Sequence, residues 1–147
     1  EGGDSITCTF GEHVFAVEKN KGKKIGNDSL HFPVPGAMAP LIQKLQLRAA
    51  EPVDGSKVIL IAYDSASKAS EKAFTIGEGC VQRTIKTAGH ERAYCTYNSV
   101  NGNCGAPVLN PQGKVVGFHN ANAGTENVFI PITKDLTHSA TGSASSF

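Results

Sequence analysis

The chain has 147 residues, a formal net charge of +1, 18% charged residues and four cysteines. That length allows one good core, or two small barrels sharing an interface, and rules out a third large domain. The charge balance excludes the broad basic field of a dedicated nucleic-acid binder, and no apolar run approaches the length of a membrane span.

Glu1-Gly2-Gly3-Asp4 is the opposite of a basic, apolar signal peptide, so a cytoplasmic location is expected. Cys8, Cys80, Cys95 and Cys104 show no Cys-x-x-Cys spacing, which predicts reduced thiols and no zinc site. Short β-branched and aromatic runs alternate with Gly, Pro, Asn and Asp, the pattern of an all-β fold. In chain order the expected strands are Ser5 to Phe10, His13 to Val17, Ser29 to Val34, Lys44 to Ala49, Lys57 to Tyr63, Ala73 to Gly77, Cys80 to Thr87, Ala93 to Asn98, Pro107 to Leu109, Val115 to Asn120 and Asn127 to Ile132. Between the early strands, Lys19, Lys21, Lys23 and Lys24 cluster around Gly22 and predict a solvated loop, with an RNA-contact patch as the functional alternative. Pro33 to Pro40 predicts a loop, and Ala39 to Gln46 suits a short helical turn or a strand. The pattern breaks from Arg48 to Gly55, so two domains are expected, 1–50 and 51–139. Residues 140–147, poor in apolar side chains, predict a flexible tail.

The richest stretch is Gly102-Asn103-Cys104-Gly105-Ala106-Pro107-Val108-Leu109, followed by a turn at Asn110-Pro111-Gln112-Gly113 and a β-patterned Lys114-Val115-Val116-Gly117-Phe118-His119. Small residues flank Cys104, so the backbone can turn tightly and aim the N–H groups of Gly102, Asn103 and Cys104 at a developing oxyanion while the thiol stays accessible. A thiol attacks as thiolate, so Cys104 needs a base from elsewhere in the chain.

This passage resembles the nucleophile region of the chymotrypsin-like cysteine proteases of positive-strand RNA viruses, the picornavirus 3C and calicivirus 3C-like group, in which Gly-x-Cys-Gly precedes a strand containing Gly-x-His. The resemblance implies two antiparallel β-barrels, here with an abbreviated N-terminal one, and a peptide-cleaving site in the order His, acid, Cys. It implies viral polyprotein segments as substrate, the host-cell cytoplasm as location, and no metal or organic cofactor.

On that pattern His13, where a Thr-rich apolar strand runs into His-Val-Phe, is the expected base, and Asp28, opening a short apolar strand, the acid that orients it. Twelve residues precede His13, so the first barrel should be short. The alternative base is His31, with Asp54 or Asp64 as acid. Glu12 adjoins His13 but, as its strand neighbour, points to the opposite face. His90 reads as a hairpin-tip residue, and His138 falls near the tail. The resemblance also gives His119 a place in the P1 pocket, donating to the carbonyl of a Gln or Glu side chain, with Ser99 where the family carries a hydroxyl. Ala121 and the residues up to Gly124 continue the pocket edge, where an extended substrate adds as a strand. The alternative from another class is a protease-like binding module that contacts RNA.

Overall fold

The computed structural model describes residues 4–10, 12–25, 28–42, 48–63, 74–87, 90–100 and 102–133. The expected tail at 140–147, most of the strand expected at Lys44 to Ala49, Asp64 and His138 lie outside the described residues. The chain divides into two compact units, Glu1–Gln46 and Leu47–Phe147. Arg48 and Ala50 go with the second, because the Val115 N–H donates to the Arg48 carbonyl (2.8 Å) and the Ala50 N–H to the Val115 carbonyl (3.0 Å).

The first unit holds two separate two-stranded antiparallel sheets. Strands β1 (Ser5–Phe10) and β2 (His13–Glu18) pair from Ser5 opposite Glu18 to Phe10 opposite His13. A 3₁₀ turn at Lys19–Lys21 leads to β3 (Lys23–Ile25), which pairs with β4 (Ser29–His31). The strand expected to reach Val34 stops at His31, just before a segment where Pro33 and Pro35 have no N–H to give a ladder. The ambiguous segment from Ala39 begins with a single helical turn, α1 (Ala39–Ile42). Among the described residues the first unit is thus two hairpins rather than a closed barrel, and its only buried apolar side chain is Val17.

The second unit is a closed barrel of six strands, β5 (Lys57–Tyr63), β6 (Phe74–Thr87), β7 (His90–Cys95), β8 (Pro107–Leu109), β9 (Val115–Ala123) and β10 (Glu126–Pro131). It consists of two antiparallel meanders, β5-β6-β7 and β8-β9-β10, joined by the β5–β8 and β7–β10 pairs. Strict alternation in Lys57-Val58-Ile59-Leu60-Ile61-Ala62-Tyr63 sends Val58, Leu60 and Ala62 into the barrel. There they pack with Val81, Ala93, Cys95, Tyr97, Val108, Val116 and Phe129, all at most 1% exposed. Closure leaves no long unpaired edge around the ring. Among the described residues no helix is long and apolar enough to cross a membrane.

The sequence suggested a break between Gly77 and Cys80, yet β6 runs through without one. A Cβ on Gly79 would lie 2.7 Å from both the Thr96 carbonyl carbon and its Oγ1, so glycine here permits a close approach of the 96–98 backbone rather than ending a strand.

Candidate active site

The loop before β8 is built around two glycines in the left-handed region, Gly102 (φ 97°) and Gly105 (φ 89°). Between them Asn103 is buried and acts as the clamp. Its Oδ1 accepts from the Val100 N–H (2.9 Å), its own N–H donates to the Val100 carbonyl (3.2 Å), and its carbonyl accepts from Ala106 (3.0 Å). The loop is also tied to β9, since the Gly105 N–H donates to the His119 carbonyl and the His119 N–H to the Ala106 carbonyl, both at 2.8 Å. Cys104 is therefore held on a rigid turn with its side chain exposed, the thiol donating weakly to the Asn120 carbonyl at 3.1 Å. Beside it opens a cleft of about 450 Å³, walled by the loop from Gly102 to Cys104, by Ala106 and Pro107, and by the β5–β6 end with Ile61, Ala62, Tyr63 and Phe74.

Of the three N–H groups expected to face an oxyanion, that of Asn103 is committed to Val100. Those of Gly102 and Cys104 have no acceptor among the described residues.

Behind the loop lies a buried polar cluster. His119, 4% exposed, has its Nδ1 2.8 Å from the hydroxyl of Tyr97, itself fully buried and stacked on Phe129. Burial pushes the His119 pKa down and that of Tyr97 up, so both groups are neutral near pH 7. Ser99, expected to converge with His119, instead donates its hydroxyl proton to Asn127 Oδ1, while the Asn127 amide donates to the Tyr97 carbonyl. The Cys95 thiol donates to the Asn127 carbonyl at 3.5 Å, and burial raises its pKa to about 11. Ala121 is exposed on β9, opposite Val128 of β10. The last β8 partner on β9 is Phe118, so at Ala121 the strand has β10 alone beside it among the described residues.

In the first unit, His13 opens β2, exposed, with its ring stacked on Phe15 (centroids 6.2 Å apart, planes at 25°). Asp28 is exposed just ahead of β4. His31 is half-buried on β4, with its pKa lowered by burial. The alternative acid Asp54 accepts from the Thr84 hydroxyl (3.0 Å), an interaction within the second unit. Lys19, Lys21, Lys23 and Lys24 are exposed, and Lys21 lies 4.0 Å from Glu18.

No protein-family model matches the sequence, and no curated protein matches it either. Solved structures do. Catalytically inactive tobacco etch virus protease complexed with substrate superposes with a TM-score of 0.66 at 16% identity, over 94% of this chain and 65% of that one. The catalytically active form of that protease, complexed with product, gives 0.58 at 19% identity over 87% of this chain and 56% of that one. A human pathogenic astrovirus serine protease gives 0.62 at 15% identity over 91% and 73%. The fold is that of the chymotrypsin-like proteases. The chain spans 56 to 65% of the length of the tobacco etch virus proteases just named.

Within the chymotrypsin-like fold, sequence reasoning found the exposed Cys104 and the buried His119 but missed Tyr97 and Asn127. Tyr97 carried a weak signal, an aromatic hydroxyl two positions before Ser99. Asn127 carried none, since an Asn beside a Gly-containing turn normally signals the turn itself.

Proposed function

We propose that this chain acts as a viral polyprotein-processing cysteine endopeptidase that cleaves after Gln or Glu, in the host-cell cytoplasm. The observation that carries the reading is the Cys104 loop, an exposed thiol between two left-handed glycines, clamped by Asn103 and tied to the strand bearing a buried His119.

Cys104 Sγ attacks the scissile carbonyl carbon, its proton passing to His13, and the C=O π pair moves onto oxygen. The N–H groups of Gly102 and Cys104 hold that oxyanion, with Asn103 left to brace the turn. Collapse expels the amine, which takes the proton from His13, and leaves a thioester on Cys104. Water, deprotonated by the same histidine, hydrolyses the thioester and returns the thiol. Asp28 orients His13 without exchanging the proton. His119 contributes selection rather than proton transfer. In this reading the Tyr97 hydroxyl, 2.8 Å from Nδ1, is the donor of that pair, which assigns the imidazole proton to Nε2 for a P1 side-chain carbonyl. Ala121, exposed where β9 has lost its β8 partner, offers backbone to the substrate as an added strand.

Hydrolysis of matched peptides that differ only at P1, combined with small-molecule alkylation, tests the reading. Cys104 should be the first cysteine labelled, and labelling or Cys104→Ala should abolish cleavage. His13→Ala should remove activity by several orders of magnitude, whereas His31→Ala should change it little. The reverse ranking moves the base to His31. Unhurried labelling of Cys104 without any cleavage favours instead the protease-like module whose RNA contact rests on Lys19, Lys21, Lys23 and Lys24.

A further inference from the structure

Barrel order sets β8 between β5 and β9, so the Cys104 loop, which runs into β8, has two flanks. On the β9 flank, backbone hydrogen bonds tie Gly105 and Ala106 to His119, and the Cys104 thiol reaches the Asn120 carbonyl. On the β5 flank lies the open cleft, lined by Ile61, Tyr63 and Phe74 together with Cys104 itself.

The apolar wall of that cleft follows from register. Val58, Leu60 and Ala62 fill the barrel, so Ile61 and Tyr63 face outward. On β6, Ile76 stands opposite Ile61 and Phe74 opposite Tyr63, and cross-strand partners share a face. Tyr63 and Phe74 are each 61% exposed, with their rings packed edge to face at 6.0 Å. Scattered exposed apolar side chains need no explanation, but these are contiguous and share a cleft with an exposed thiol. Among the described residues no Lys, Arg, Asp or Glu lines it.

The reaction proposed above decides what occupies the cleft. The acyl half of the substrate lies on the β9 flank, with its P1 side chain at His119 and its backbone along Ala121. Beyond the scissile bond at Cys104 the peptide continues onto the β5 flank. Side chains of an extended peptide alternate, so P2′, the second residue after the scissile bond, points to the same side as P1, while P1′ points away. A large apolar P2′ side chain meets two aromatic rings there. A carboxylate gives up hydration and finds no cation among the described lining residues.

We propose that Tyr63 and Phe74 form an apolar S2′ subsite that selects substrates with a large aliphatic or aromatic residue at P2′. The inference rests on the proposed peptidase reading and adds to it a preference on the leaving-group side of the bond.

The test compares kcat/KM for peptides with Gln at P1 that differ only at P2′, carrying Leu, Phe, Ser or Asp. The Leu and Phe peptides should be cut roughly tenfold or more faster than the Asp peptide. Phe74→Lys puts an ammonium in the cleft at an exposed position, so no core packing is lost. It should invert the order, with Asp above Leu, while the preference for Gln over Leu at P1 persists. If that variant fails to fold, Tyr63→Lys decides by the same inversion. Equal cleavage of all four peptides by the parent protein, or a preference for Asp, overturns the inference and leaves the protease reading standing. An unchanged P2′ order in the folded lysine variant overturns it too, as does loss of the P1 preference together with the P2′ one, which marks a general distortion of the site. Cleavage of none of the peptides overturns both.

Discussion

Cys104 owes its exposure to neighbours without side chains, and His119 owes its burial to a neighbour with a large one. Tyr97 stacks on Phe129 at 6.5 Å and fills the barrel, so Tyr97→Phe keeps the packing and removes one buried hydroxyl. We expect a stability loss of about 1 kcal/mol in urea denaturation, together with weaker binding of Gln-terminated peptides and an unchanged alkylation rate at Cys104. A slower alkylation rate would show that Tyr97 supports the nucleophile rather than the pocket. The buried imidazole also makes an expectation about pH. His119 has its folded-state pKa lowered below the ordinary 6.5, so between those two values the unfolded chain binds more protons than the native one. Stability is then full above pH 6.5 and falls as pH drops through 6.5 toward the folded value. His31, lowered for the same reason, adds in the same direction. Urea midpoints measured from pH 7.5 down to pH 5 should decline, and His119→Gln should flatten the decline; an unaltered slope would sink the assignment.

At the scale of the element, β6 and β9 place the site. β6 bends tightly against the segment that carries Tyr97 and Ser99, and it can do so only because Gly79 lacks a Cβ. Gly79→Ala should cost about 1–3 kcal/mol by overpacking and should disturb peptide selectivity, because the backbone it displaces is that of residues 96 and 97. Unchanged thermal unfolding would show that the contact relaxes at no cost. β9 serves twice: its Val115 to Phe118 segment belongs to the barrel with β8, and its continuation through Ala121 is paired only by β10 among the described residues. The change occurs at His119, where the backbone turns from β8 to the Cys104 loop. A single strand therefore fixes the Cys104 turn, the buried His119 and the open edge in one register.

At the scale of the whole molecule, the two units are unequally built. The second has a closed barrel with a continuous buried core, whereas the first has, among the described residues, two hairpins and Val17 as its buried apolar side chain. Local opening free energy follows buried apolar contact, so backbone amides of β1 to β4 should exchange with solvent well before those of β5 to β10 in native-state hydrogen exchange. Protection of β1 and β2 equal to that of β5 would refute this ordering.

What the sequence determined by itself were the features encoded by neighbours along the chain. Alternation fixed the faces of β5, Gly-Asn-Cys-Gly marked the turn that exposes Cys104, and Asn110 to Gly113 marked the hairpin that returns to His119. These need only a few consecutive residues, so propensity and steric freedom suffice. Tertiary structure alone decided which polar groups meet. Tyr97 reaches His119 across 22 positions, and Asn127 reaches Tyr97 and Ser99 across 30 and 28, distances that only closure of β7 against β10 removes. It also decided that Gly77 and Gly79 lie inside a strand, and that the Asn103 N–H turns inward to Val100. A hydrogen bond between side chains leaves no trace in local periodicity, because its partners are chosen by the register of strands that the chain brings together last.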